Sequence, residues 1–178
     1  SKSILKGSIK LKDGTNSVGY ISYRKIDVAT RIVFYSLDPK TKEIDETTKT
    51  TFGPGEIMGF SYGENEKWLS VNFDKSELGY DAPYFMKVEA VAHDIYLLGG
   101  IITGEGCNCS GTKIDASYFW VLWSAKDQQK TILSEHRYGR ITKPEWVSAY
   151  FSRYGFEVDP DVFNKPKHVL APISVPVL

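Results

Sequence analysis

The sequence predicts a mainly β protein: an antiparallel sheet folded as a sandwich or partly open barrel, with one C-terminal α-helix packed on it and an extended proline-containing tail. Three observations carry this. Runs rich in β-branched and aromatic residues recur about every ten residues, and clusters of Gly, Asn, Asp and Pro separate them. Only one segment combines the start signal, apolar stripe and stop signal of an α-helix. Short strands with regular turns favour antiparallel pairing over β-α-β units.

The first hairpin pairs Ile4–Leu11 with Val18–Arg24 across the turn cluster Asp13-Gly14-Thr15-Asn16. A third strand covers Arg31–Ser36. A polar connection containing Asp38-Pro39 leads to a fourth, Thr47–Phe52, whose threonines mark a sheet edge. The Gly53-Pro54-Gly55 corner and the Gly63-Glu64-Asn65-Glu66 turn then bracket short strands on either side, the second being Lys67–Phe73. Asp74–Pro83 reads as a polar loop. The central stretch, Tyr84–Ser124, is the densest apolar and aromatic sequence and reads as three extended runs, the last two joined by the Gly/Cys segment Glu105–Gly111. Gln129–Ser134 adds a short strand.

Thr142-Lys143-Pro144-Glu145 is a capping box with proline in the first turn, which starts a helix over 142–154. Trp146, Val147, Tyr150, Phe151 and Tyr154 form one apolar stripe, and Gly155 is placed to end it. The chain therefore divides into one β-rich domain over 1–155 and an extended tail over 156–178. Prolines 160, 166, 172 and 176 forbid a helix or central strand there, while Val169, Leu170, Ile173, Val175, Val177 and Leu178 are too apolar for a solvated linker. That composition suits a segment laid across a surface, and these six residues are the candidate partner-binding set.

The order Gly7-x-Ile9, Asp13-Gly14, Gly19-Tyr20-Ile21, the strand RIVFY, the corner Pro54-Gly55-Glu56-Ile57-Met58-Gly59-Phe60, a Tyr/Trp strand, and Phe85-Met86-Lys87-Val88 leading to Ile95-Tyr96-Leu97-Leu98 resembles uncharacterised exported β-rich proteins of the Bacteroidota. It covers about residues 4–133, and every motif in it is structural. The resemblance implies an exported protein, periplasmic or outer-membrane-associated, with no assigned reaction.

Several function classes are disfavoured. The 22 basic and 22 acidic residues cancel and are scattered, so no field gathers nucleic acid. No apolar run reaches the length of a spanning helix; Ile95–Ile102 is broken by Gly99-Gly100. No nucleophile elbow, zinc-protease motif, phosphate loop or dinucleotide fingerprint occurs, so no catalytic residue and no cofactor is assigned. His93-Asp94 are adjacent, so on a strand they would point to opposite faces and could not orient each other for acid-base chemistry; they read as a turn or short break between strands.

Cys107 and Cys109 supply two thiolates, half of a soft-metal site, but no second pair stands within reach in sequence and no metal site is assigned to them. Two functions remain. One is a non-catalytic cell-envelope accessory module that binds a partner protein, such as an outer-membrane complex, through its tail or a sheet edge. The alternative is a small-ligand or carbohydrate-binding β-domain that stacks its ligand on Trp68, Tyr80, Tyr84 and Trp120. Alternation makes both faces of Tyr118–Trp123 apolar, so core packing competes with stacking for Trp120.

Overall fold

The computed structural model describes residues 3–25, 27–78, 81–108, 111–127, 129–132, 149 and 152–153, with the backbone alone at 78, 92 and 101–119. Among the described residues the chain is mainly β, and the strand pairings within 4–92 and within 95–132 are antiparallel. The backbone groups into two compact units, Ser1–Lys87 and Val88–Leu178.

The first unit contains β1 (Ile4–Leu11), β2 (Asn16–Ser22), β3 (Ile32–Ser36), β4 (Thr50–Phe52), β5 (Ile57–Tyr62), β6 (Glu66–Phe73), a short helix α1 (Lys75–Leu78), and the start of β7 (Ala82–Ala92). Their order across the sheet is β4-β3-β2-β1-β5-β6-β7. Three hairpins therefore run outward from β1 to β4, and the chain then returns to pair β5 on the other side of β1.

That return is short. Only Gly53–Glu56 separate Phe52 from Ile57, a reach of at most about 17 Å. In a flat sheet β4 and β5 would stand four strand spacings apart, about 19 Å. The sheet must curl, and the corner shows how: the Ser70 hydroxyl on β6 donates to the Pro54 carbonyl, while the Glu56 carboxylate accepts from the Gly53 amide at 2.6 Å. The ladder nevertheless does not close into a barrel, because β4 pairs with β3 alone. β4 is thus the edge that its threonines predict.

Period-2 alternation places Ile9, Phe60 and Trp68 in one cross-strand row and Ile21 beside Phe34 in another. With Val28, Ile32, Ile57 and Phe85 they form the core of this unit. Each such side chain contributes about 1.5–3 kcal/mol by leaving water.

Two local predictions change. Thr47 and Thr48 do not extend β4; they lie in a 3-10 turn, Glu46–Thr48, because the Asp45 carboxylate accepts from both the Thr47 amide (3.0 Å) and its hydroxyl (2.6 Å). The loop read over Asp74–Pro83 contains α1. Asp74 accepts from the Ser76 and Glu77 amides, and Glu77 accepts from the Asp74 amide at 2.9 Å, a reciprocal capping box visible as Asp-x-x-Glu.

The second unit takes the end of β7 with β8 (Ile95–Asn108), β9 (Gly111–Ser124) and β10 (Gln129–Ile132), in the order β7-β8-β9-β10. His93 and Asp94 form the β7–β8 turn, His93 with φ of 55°. The β8–β9 ladder runs from Ile95↔Ser124 to Asn108↔Gly111, so most of the Gly/Cys segment belongs to paired strands. Leu97 and Leu98, neighbours pointing to opposite faces, are both fully buried, as are their partners Leu122 and Val121 to within a few per cent. The helix over 142–154 and the tail over 156–178 lie outside the described residues, apart from Ala149, Ser152 and Arg153.

Candidate functional site

The β2–β3 connection carries the densest polar chemistry of the first unit. It begins at Tyr23, directly after β2, whose hydroxyl donates to Glu66 Oε2 at 2.5 Å; the Trp68 indole N–H donates to the same oxygen at 3.2 Å. The Tyr23 ring lies 4.7 Å from Tyr62 and 5.7 Å from Trp68, while Trp68 stacks on Phe60 at 5.6 Å. Burial, and then the hydrogen bond and charge of Glu66, push the Tyr23 phenol well above its ordinary range. This cluster holds one end of the connection to β5 and β6.

The other end is held by Val28 and Ala29, both buried, and by a backbone bond from the Phe85 amide to the Ala29 carbonyl at 2.8 Å. Between these anchors Asp27 acts as a hub. Its carbonyl accepts from the Thr30 and Arg31 amides, each at 3.0 Å. Its carboxylate Oδ2 accepts from Arg24 Nε (3.0 Å) and Nη2 and from Arg31 Nε (2.9 Å), and forms an ion pair with Arg31 Nη2 at 2.7 Å. Burial works against the Asp27 charge, but the hydrogen bonds and charges of the two arginines outweigh it and hold the carboxyl below its usual range.

Asp27, Arg24 and Arg31 line an open cleft of about 270 Å³. Ser22, Val33 and Thr51, in register across β2, β3 and β4, form its floor together with Tyr35. Lys49, just before β4, adds a third cation. Three cations against one carboxylate leave a net +2 in the cleft of a chain whose total charge is zero. Asp27 is 16% exposed in its side chain, whereas Arg24 and Arg31 are 50% and 56% exposed. The acid is thus set into the wall and the guanidiniums face the cleft mouth.

The sequence-predicted residues fall elsewhere. Trp68, Tyr84 and Trp120 are 6%, 8% and 7% exposed, so their rings pack inside and present no open stacking face. Tyr80, Cys109 and the tail residues Val169, Leu170, Ile173, Val175, Val177 and Leu178 lie outside the described residues. The Cys107 backbone is on β8, paired with Thr112. Among the described residues, no three His, Cys, Asp or Glu side chains are gathered to hold a metal ion.

Sequence reasoning passed over Arg24, Asp27, Arg31, Lys49 and Tyr35. A signal was present in Arg24-x-x-Asp27-x-x-x-Arg31, an acid flanked by two arginines between two strands. Lys49 and Tyr35 carry no such signal, since only the pairing of β3 with β2 and β4 brings their strands beside it. Comparison with protein-family models, with characterised proteins and with solved structures finds no match for this chain.

Proposed function

We propose that the protein is a non-catalytic binding module that takes a partner protein on the β2–β3–β4 face, at the Arg24–Asp27–Arg31 cleft beside the edge strand β4. One observation carries this reading: three cations and a single carboxylate share a small open cleft in an otherwise charge-balanced chain. The side chains there are suited to holding rather than to proton transfer, because the one acid of the cleft is committed to two arginines. In the reading offered here the module is exported and serves an accessory role at the cell envelope, as the resemblance implies. The carbohydrate-binding alternative on Trp68, Tyr84 and Trp120 draws no support from rings so deeply buried.

The test is site-specific photo-cross-linking in the protein's own cells. A cross-linker at exposed Thr51, at the cleft floor, is expected to trap one discrete partner that the same group at Lys12, beside the β1–β2 turn, does not trap. Equal trapping from both positions, or none from Thr51, overturns the reading.

A further inference from the structure

We infer that the cleft is an oxyanion site, in which Arg24 and Arg31, drawn together on the Asp27 carboxylate, grip a carboxylate or phosphate group carried on a small apolar body. The inference rests on the reading of this face as a binding surface and names the chemistry it recognises.

A guanidinium has five N–H donors in a fixed fork. Arg24 and Arg31 each direct Nε and Nη2 at Asp27 Oδ2 and so keep three donors apiece. Free arginines would lose side-chain freedom on gripping an anion; these two are already ordered by the Asp27 carboxylate, on a residue whose backbone carbonyl accepts from the Thr30 and Arg31 amides. They line a cleft whose net charge still favours an anion, with Lys49 also lining it and Val33 and Ile4 offering apolar contact. The volume, about 270 Å³, has room for one such group and a short apolar body.

The experiment titrates the full chain with glutarate, inorganic phosphate and neutral glutaramide, following the arginine Nε–Hε resonances. Expected are saturable shifts of the Arg24 and Arg31 signals with at least one of the two anions and none with glutaramide; the tighter anion identifies which group the natural ligand carries. Arg24→Gln and Arg31→Gln should each weaken binding about tenfold or more. Arg31→Lys, which keeps the charge and loses the fork, should weaken it nearly as far.

Shifts that rise linearly without saturation, or that survive both glutamine variants, overturn the site. Cross-linking from Thr51 that persists while neither anion binds also sinks the oxyanion site and leaves the docking reading standing. Anion binding without a cross-linked partner does the reverse, supporting the site and removing the docking reading.

Discussion

The amide of Phe85 on β7 donates to the carbonyl of Ala29 in the β2–β3 connection at 2.8 Å, while Phe85 stands in register with Ser70 on β6. A strand thus bonds to its neighbour on one side and to a loop from the far half of its unit on the other. This bond and the short Gly53–Glu56 corner express the same curl, and Phe85, fully buried, fills the space between. Phe85→Ala should cost about 3–5 kcal/mol, read as a lower midpoint in chemical denaturation. Hydrogen exchange should find the Phe85 amide as slow as the amides of the β5–β6 ladder; fast exchange would mean that the loop does not hold this edge.

The curl also leaves no room at Gly19. A Cβ built there would lie 2.2 Å from the Tyr35 carbonyl oxygen and 2.6 Å from the Phe34 ring. Backbone and a core ring cannot both yield. Gly19→Ala is expected to destabilise by about 1–3 kcal/mol or more, whereas the same change at Gly14 meets no neighbour and fails only through its φ of 87°. Thermal melting of the two variants separates crowding from backbone strain.

Tyr23→Phe removes a hydrogen bond to a carboxylate while preserving the ring contacts, and should cost about 1–2 kcal/mol near neutral pH. The phenol's pKa is raised in the folded state, so its contribution is fully present below the unfolded value of about 10 and fades as pH rises beyond it. Stability measured from pH 8 to 11 should therefore fall more steeply for the native protein than for Tyr23→Phe. Parallel slopes would show that Tyr23 is not the group responsible.

Asp27 behaves with the opposite sign. Its carboxyl is held below the ordinary range, so its stabilising effect is present above about pH 3.9 and is lost as pH falls through the lower folded value. Because the arginines are solvated, the loss should be small beside the core variants above. Asp27→Asn should flatten the melting temperature between pH 2 and 5 and leave the alkaline limb unchanged.

Most strand positions were legible because side-chain alternation and turn residues are local signals. Asp13-Gly14 turns where Gly14 has φ of 87°, and the β1–β2 register then follows from Ile9 and Ile21 having to face inward. The capping box at Asp74 is equally local, an Asp-x-x-Glu set between two strands. Trp68 was harder. A tryptophan on a short strand looks the same in sequence whether its face is open or covered; stacking on Phe60 and the bond to Glu66 decide that it is covered.

The sequence by itself determined an antiparallel, mainly β chain, the Thr-rich edge at β4, and the His93–Asp94 turn, since each depends on residues within a few positions of one another. Only the tertiary structure decided that the unit curls and that the β2–β3 connection is pinned to β7. Only it placed Arg24, Arg31 and Lys49 around one cleft. The physical reason is that curl accumulates over many strands and is set by the length of a four-residue corner, a distance constraint that no periodicity records.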